Sequence, residues 1–461
     1  MTDGVSHISA LDVPRKRTAA PYLGLRYTLL VLLLFSFTVL PDIWIGPAPL
    51  WLIFSGFAVG LAMVDRTLAN DIARVARALT DPIVVPWLCA VVAFAVIDAV
   101  RATGDFERVT LLNLFQLMTM VLAAALAYRT PPRVVIYAIG LIAAGEGLLC
   151  IGQIMQVSVA WKVPDLLQRI SSHVQTDPSE MAGDYADIFR VRGTLQFVHK
   201  FNAMQGMLAA FLLCAVFERA QLLEELRIKY VPLVICAALG LIGVLLTFSR
   251  STWFALGVIF VYLIYRSRMK IGGTRLLVGM VIFGSLVYLV AFSSSPILGR
   301  LTDFSAESST NTLRYSQLDY GLGVLTSSPL YGEPIPVHTG DFPVHSVALR
   351  KFIDYGFLGF LPYAFTILGI GMTLLKFARS RNVVASFLGQ AGIAVFLVAM
   401  IDSSTHSAGI LHTDVMEAPL IGLLFGLMFG AAPAIIASAP RRRRVGAPAM
   451  DGPADPDRTS Q

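Results

Sequence analysis

The stretch A-P-L-I-G-L-L-F-G-L-M-F-G-A-A-P-A-I-I, residues 418–436, contains no charged side chain. A helix of about 20 apolar residues is long enough to cross the hydrocarbon core of a bilayer. The whole chain has the same character, because 56% of its 461 residues are hydrophobic and only 14% are charged, with a mean hydropathy of +0.70. A soluble domain usually carries about 25% charged residues. The sequence therefore predicts a membrane protein with many spans rather than an ordinary cytosolic enzyme.

Runs of this kind recur along the chain, and each is a candidate transmembrane helix. We predict twelve of them, at residues 27–41, 48–64, 82–100, 109–127, 134–155, 201–217, 230–247, 252–265, 275–292, 356–375, 384–401 and 415–436. The expected fold is therefore an all-α, polytopic integral membrane protein. It divides into an N-terminal segment at 1–26, a transmembrane domain at 27–436 and a basic, then disordered tail at 437–461.

The placement of Lys and Arg predicts the orientation, because cytoplasmic loops carry an excess of both. Twelve spans put the clusters Arg15–Arg17 and Arg441–Arg444 on the same side, whereas an odd number would place one of them outside. Both termini are therefore expected in the cytoplasm, with two long loops, 156–200 and 293–355, on the exterior. Long ordered loops are more often functional than incidental. The net charge of +6 does not indicate nucleic acid, since the basic residues lie between spans.

Three arginines near the exterior face are candidates for binding an anion. Arg250, in T-F-S-R-S-T-W, lies where the seventh predicted span meets the eighth, and a planar guanidinium grips a phosphate in a bidentate way. Arg192 precedes the sixth span in F-R-V-R-G-T-L, and Arg314 lies in the second long loop, where leucines approach helical spacing. Position alone favours a snorkelling helix-end arginine for Arg250 and a solvated helix face for Arg314, whereas for Arg192 a functional role and loop solubility are about equally supported.

His345 is the candidate for a general base. It lies in G-D-F-P-V-H-S-V-A-L-R-K-F, at the end of the second long loop. A neutral imidazole at a membrane surface accepts a proton from a sugar hydroxyl near physiological pH. Because His338, His406 and His412 are also expected to face outward, the chemistry of the residue does not select among the four.

A resemblance to a known family selects His345. The stretch H-S-V-A-L-R-K-F-I-D-Y-G, from His345 to Gly356, resembles the H-[NSQ]-x-x-L-x(6)-G signature of the O-antigen ligase family, which also includes O-antigen and exopolysaccharide polymerases. The signature positions are matched by His345, Ser346, Leu349 and Gly356. Asp354 resembles the acidic residue that is frequent two positions before the glycine.

Three further elements resemble the family in the same order along the chain. S-S-P-L-Y-G, residues 327–332, is similar to the family's H-P-L-x-G element, and Arg314 stands where an arginine commonly precedes it. T-F-S-R-S-T-W resembles the T-x-S-R-G motif and places Arg250 on its arginine. R-G-T-L with the later F-N resembles the R-x-x-G…N-P-N segment, but Asn202 stands in a sequence without N-P-N, so Arg192 is the weaker match.

The resemblance implies a membrane glycosyltransferase of the bacterial inner membrane with its active site facing the periplasm. Such enzymes move a glycan from undecaprenyl pyrophosphate to an acceptor sugar. Ligases use lipid A core as the acceptor, polymerases use another lipid-linked repeat unit, and both remain open. It further implies that Arg250, Arg314 and Arg192 bind the pyrophosphate and that His345 deprotonates the acceptor, with inversion at the sugar carbon. Ser346 and Asp354 are then substrate-binding residues.

No metal or cofactor is expected in this interpretation. Asp42, in the first exterior loop, could correspond to the acidic residue of metal-dependent membrane glycosyltransferases, but the sequence has no second acid nearby. The four cysteines all lie inside apolar runs, which indicates neither a disulfide framework nor a CxxC metal site.

Two other classes of protein remain possible. Twelve spans with cytoplasmic ends are also typical of secondary transporters and lipid-linked sugar flippases, which need polar residues at mid-span. Glu146 and Gln390, with Glu417 nearer a span end, are the few candidates here, and the placement of the other polar residues on exterior loops favours surface chemistry. A non-catalytic chain-length or assembly factor would need neither His345 nor Arg250.

Overall fold

The computed structural model describes residues 22–41, 43–46, 48–101, 106–171, 191–195, 198–218, 220–267, 309–333, 344, 346–405, 411 and 417–433. In chain order the elements are α1 (Leu23–Thr38), β1 (Trp44–Ile45), β2 (Ala48–Pro49), α2 (Leu50–Val64), α3 (Arg66–Leu79), a π-helical turn (Thr80–Val84), α4 (Val85–Val100), α5 (Phe106–Ala127), α6 (Pro132–Ile154), α7 (Ser158–Ile170), α8 (Val198–Val216), α9 (Ala220–Glu225), α10 (Tyr230–Leu245), α11 (Arg250–Ser267), α12 (Ser309–Ser327), α13 (Val347–Ala378), α14 (Val383–Thr405) and α15 (Glu417–Ala431). The two short strands pair antiparallel, and all the other elements of the described ranges are helical.

The apolar helices agree with a membrane-embedded protein. Among the described residues, five helical segments are long and apolar enough to cross a membrane, namely Arg66–Val100, Thr110–Ala127, Pro132–Ile154, Val347–Ala378 and Val383–Ser404. Six shorter apolar helices accompany them, at Leu23–Thr38, Leu50–Val64, Lys200–Val216, Tyr230–Leu245, Ser251–Ile264 and Glu417–Ala431. Every predicted span coincides with one of these segments except 275–292, which lies outside the described residues. The all-α membrane architecture is thus confirmed, and the count of twelve spans stays a prediction.

The third predicted span begins differently from the expectation. The apolar run at 82–100 continues an amphipathic helix, α3, through the π-helical turn into α4. Asp65 starts α3 by accepting hydrogen bonds from the backbone N–H groups of Thr67 (2.9 Å) and Leu68 (3.4 Å). The turn contains Pro82, which has no N–H to donate, and the chain instead closes a wider ring from the N–H of Val85 to the carbonyl of Thr80.

A seam of glycines fixes the position of the last described helix. Gly422, Gly426 and Gly430 recur at every fourth residue of α15, and a Cβ on any of them would lie 2.0–2.1 Å from a carbonyl oxygen of α5 or of Tyr128, the residue after it. The two backbones therefore touch, as small residues permit between membrane helices. Helix α15 also packs against α14, which in turn packs against α8, α11 and α13. The core of the bundle is thus organised around α14.

The second long loop contains a helix, as its leucine spacing predicts, but the leucines face outward. Leu318 and Leu322 of α12 are 53% and 60% exposed, whereas Gln317 is buried. The helix packs on α13 through its smaller side chains, because a Cβ at Gly321 would lie 2.7 Å from Cδ1 of Leu349. The predicted apolar stripe is therefore not the packing face.

One network of charges joins α1, the N-terminal part of α3 and the turn that follows α5. Nε and Nη2 of Arg26 donate to Oδ2 of Asp65 at 2.8 and 2.6 Å, and its Nη1 donates to Oδ2 of Asp71 at 3.0 Å. Arg26 also donates to the hydroxyl of Thr67. Arg129 completes the network with bonds of 2.6 and 3.1 Å to the carboxylate of Asp71. Two cations and two anions therefore neutralise one another inside the protein.

Candidate functional site

The turn that carries Arg192 is held by two polar residues of α6. Oε1 of Gln153 accepts from the backbone N–H groups of Arg192 and Gly193, both at 3.1 Å, and its Nε2 donates to the carbonyl of Gly193 at 2.8 Å. Both carboxylate oxygens of Glu146 bind Thr194, one through the backbone N–H (3.0 Å) and one through the hydroxyl (2.5 Å). These bonds determine the path of the backbone on either side of Gly193.

Only glycine fits at the centre of this turn. Gly193 has a φ of +58°, a conformation that side chains of L-residues rarely adopt. A Cβ there would also lie 2.3 Å from the ring of Phe201 and 2.4 Å from Oε2 of Glu146. The arginine before the glycine is thereby presented in a fixed direction.

The side chain of Arg192 is buried and only partly paired. Its Nη2 donates to Oδ1 of Asp165 on α7 at 3.1 Å, and that carboxylate is itself more than half exposed. Nε and Nη1 are buried and have no hydrogen-bond partner among the residues that the structure describes. Burial lowers the pKa of the Arg192 guanidinium, and Asp165 only partly opposes that shift. An anion placed against Nε and Nη1 would satisfy both groups.

The T-F-S-R-S-T-W segment is joined to α8 by one buried asparagine. Asn202 accepts from the hydroxyl of Thr247 at 2.9 Å and donates to the hydroxyl of Thr252. Phe248, with a φ of +51°, turns the chain so that α11 begins at Arg250. The residue that stands where the family has N-P-N therefore connects both ends of the arginine motif. For Arg250 the structure describes the helix position and not the side chain.

The two remaining motifs meet backbone to backbone. The N–H of Phe357 donates to the carbonyl of Pro329 at 2.8 Å, and the N–H of Glu333 donates to the carbonyl of Ile353, also at 2.8 Å. At the contact, Gly332 and Gly356 have φ values of +77° and +55°. A Cβ on either glycine would lie 2.4 Å from a backbone atom of the other motif. The glycines of the two resembling segments are thus explained by a single close approach.

Gly356 also divides α13 into two parts, because its backbone is not helical. The first part begins at Val347, two residues after His345, which lies outside the described residues. Ser346 is the N-cap of that part and accepts from the N–H of Leu349 at 3.4 Å. Asp354 is buried near its end, with Oδ2 at 3.5 Å from Nε of Arg350. In this structure Ser346 therefore has a helix-capping role, and its predicted contact with substrate stays a prediction.

Sequence reasoning missed the residues of α4 that support this junction. Arg101 donates from Nη1 to the carbonyl of Asp354 (2.5 Å) and from Nη2 to the carbonyl of Tyr331 (2.6 Å), so it links both motifs. One turn earlier, Asp98 accepts from the hydroxyl of Tyr355 at 3.0 Å. Asp98 and Arg101 stand together at the end of the apolar run 82–100, and this pair of charges was the sequence signal that could have identified them.

The four predicted elements form two groups. The Arg192 turn and the Arg250 motif lie with α6, α8 and α11. The two glycine motifs, which contain Gly332 and Gly356, lie with α4, α12 and α13. Arg314 is on α12, where the structure describes its backbone position. Helix α14 packs against both α8 and α13. Within the described ranges, no three His, Cys, Asp or Glu side chains are grouped to hold a metal ion, and Asp42 lies outside those ranges.

Comparison of the chain with protein-family models and with curated proteins gives no match. The family resemblance therefore depends on the four sequence motifs alone.

Proposed function

We propose that this protein is an O-antigen ligase-like glycosyltransferase, which moves a glycan from undecaprenyl pyrophosphate to an acceptor sugar at the exterior face of the bacterial inner membrane. The observation that carries the proposal is the buried guanidinium of Arg192, with two nitrogens that lack a partner among the described residues. A buried donor without an acceptor is costly. A diphosphate supplies acceptors of the right charge and geometry for a planar fork.

The chemistry proposed at this site is displacement at the anomeric carbon. The acceptor hydroxyl attacks, the bond from the sugar carbon to the pyrophosphate oxygen breaks, and the carbon inverts. Arg192, Arg250 and Arg314 neutralise the charge that develops on the leaving diphosphate, which fixed cations do without reorganisation. His345 takes the proton of the acceptor hydroxyl as the new bond forms.

The acceptor distinguishes the two forms of the proposal. With lipid A core the protein is a ligase, and with a second lipid-linked repeat unit it is an O-antigen or exopolysaccharide polymerase. The donor, the arginines and the base have the same roles in both. We favour the ligase, after the family that the signature resembles.

The polar residues inside the helices give the transporter alternative less support. Both carboxylate oxygens of Glu146 are used in holding Thr194. Gln390 donates to the carbonyl of Ala378 (3.3 Å) and to the hydroxyl of Ser386 (3.0 Å), within the α13–α14 turn region. Contacts of this kind fix backbone segments rather than line a path for substrate.

The test uses purified protein with an undecaprenyl-pyrophosphate glycan, one sample with lipid A core and one without an added acceptor. Release of undecaprenyl pyrophosphate only with the core identifies a ligase, and longer lipid-linked glycans without it identify a polymerase. Absence of transfer in both samples, with wild type and His345→Ala indistinguishable, would overturn the proposal.

Two variants and one reagent test the assigned roles. His345→Ala should abolish transfer without affecting membrane insertion, because the base is lost. Arg250→Lys keeps the charge but loses the planar fork, so a large loss of transfer is expected from it. EDTA should have no effect, and strong inhibition would favour a metal mechanism instead.

A further inference from the structure

An apolar groove of about 470 Å³ runs along α4 toward the junction of the two glycine motifs. Its lining comes from α4, from Tyr331 in the segment S-S-P-L-Y-G and from Leu358 just after the break in α13. Val92 and Val96 are 60% and 56% exposed, so the groove is open on the outer surface of the bundle. Its residues carry no charge.

A positively charged side chain, that of Arg101, lies at one end of this groove. Cys89, Ala93 and Ile97 line it at four-residue intervals, and Arg101 continues the same helix face by one more step. Arg101 is fixed there by its bonds to the carbonyls of Tyr331 and Asp354. Those two bonds use two of the five N–H donors of a guanidinium. An apolar groove that ends at a held arginine matches an amphiphile with an anionic head.

We infer that this groove binds the polyprenyl chain of the donor, with the phosphate end of the chain directed toward Arg101. The inference depends on the proposed function, since that function supplies a polyprenyl diphosphate as the substrate. Continuity with the proposed site favours this occupant over a bulk phospholipid, because Tyr331 belongs both to the groove wall and to a site motif. The groove volume lies within the range typical of ligand pockets.

The test compares two donors that carry the same glycan diphosphate, one on undecaprenol and one on the short citronellyl chain, in lipid nanodiscs. Val92→Trp and Val96→Trp fill the groove. Leu148→Trp is the matched control, because Leu148 is 57% exposed on α6 and does not line the groove. We expect the groove variants to raise KM for the long donor by about tenfold and to leave KM for the short donor unchanged, since only the long chain loses buried apolar surface.

Two outcomes would overturn the inference. Unchanged KM for the long donor would mean that the chain binds elsewhere. Equal losses with both donors would mean that the substitutions disturb the reaction centre rather than a chain-binding site.

A binding measurement separates this inference from the proposed function. Cys89 is an exposed thiol in the groove, and Cys236 on α10 is a partly exposed thiol outside it. Undecaprenyl diphosphate should slow alkylation of Cys89 by a membrane-permeant maleimide and leave Cys236 unaffected, even if wild type transfers no glycan. Equal protection by phosphatidylglycerol would assign the groove to ordinary membrane lipid, and no protection would mean that the polyprenyl chain binds elsewhere.

Discussion

Two buried arginines, Arg26 and Arg192, differ in how many of their side-chain nitrogens are hydrogen-bonded. All three side-chain nitrogens of Arg26 donate to Asp65, Asp71 or Thr67. Only Nη2 of Arg192 has a partner among the described residues, and that partner, Asp165, is largely exposed. Arg26 is thus part of a fully hydrogen-bonded network. Arg192 is positioned through its backbone, and its Nε and Nη1 have no partner among the described residues.

The difference separates a structural arginine from one suited to a ligand. A buried charge contributes to folding only when it is paired and hydrogen-bonded. In the Arg192 turn the hydrogen bonds of Gln153 and Glu146 go to the backbone and to the hydroxyl of Thr194, so the fold does not depend on the guanidinium. Removal of Arg26 should therefore affect stability, and removal of Arg192 should affect binding.

The largest effect is expected from Arg26→Met. The substitution leaves Asp65 with no arginine and Asp71 with Arg129 alone, which costs about 3–5 kcal/mol for a broken buried pair. Thermal unfolding in detergent measures the loss. Arg66→Gln is the control, because Arg66 is exposed at the start of α3 and should leave the unfolding temperature unchanged. Equal stability of Arg26→Met and wild type would contradict a structural role.

Arg192→Gln should have a smaller effect on stability and a clear one on transfer. Loss of one preorganised donor to a developing anion reduces the rate by about 10²-fold. The ratio of turnover to folded protein, measured by the transfer assay and by thermal unfolding, tests this directly. A fall in unfolding temperature as large as that of Arg26→Met would remove the distinction between the two arginines.

Asp165→Asn is expected to act in the opposite direction. Without the carboxylate, the Arg192 guanidinium has more donors for an anion, and the affinity for inorganic pyrophosphate should rise by roughly two- to five-fold, as the loss of an exposed pair allows. Isothermal titration with pyrophosphate measures the change. Weaker binding in Asp165→Asn would indicate that the pair orients the arginine rather than competes with the ligand.

Glu146→Gln tests how the turn is held. Glutamine keeps one acceptor for Thr194 but places an amide donor against the other bond, at a cost of about 1–3 kcal/mol. Transfer should fall together with stability, since the position of Arg192 depends on the turn. Thr194→Ser retains both bonds and serves as the control. If Glu146→Gln lowered transfer with stability unchanged, Glu146 would have a role of its own in the reaction.

The smallest effect concerns pH at the Arg26 network. Burial by itself would raise the pKa of Asp65, but hydrogen bonds from Thr67 and Arg26 and the charge of Arg26 outweigh it, and the pKa is lowered. Because the folded-state pKa lies below the unfolded value, the stabilisation is present above the unfolded value of 3.8 and is lost as pH falls through the folded one. Acidification should thus lower the unfolding temperature of wild type more than that of Asp65→Asn.

Composition and apolar runs were sufficient to predict the apolar helices. The run at 384–401 corresponds to α14, Val383–Thr405, because hydrocarbon tolerates only a helix of apolar residues there. Helix α3, which precedes the third predicted span, was not predicted, since an amphipathic helix gives no signal of continuous hydropathy.

The contacts of the site could not be predicted in the same way. Arg101 binds a carbonyl 253 residues later in the chain, and Glu146 binds Thr194 at a separation of 48 residues. No local sequence pattern encodes such pairs, so the sequence identified Glu146 as a polar residue within a span but did not predict its contact with Thr194. The motif glycines were identified by resemblance, but their mutual contact required the packed helices.

The glycine seam between α5 and α15 has a consequence for biosynthesis. Helix α5 leaves the ribosome long before α15, and at the usual elongation rate the interval is roughly 15 to 60 seconds. During that time the polar side chains of α5 that are buried in the finished bundle, including Gln116, have not met the C-terminal segments that cover them. The first half of the protein must therefore wait, incompletely packed, until α15 has been synthesised.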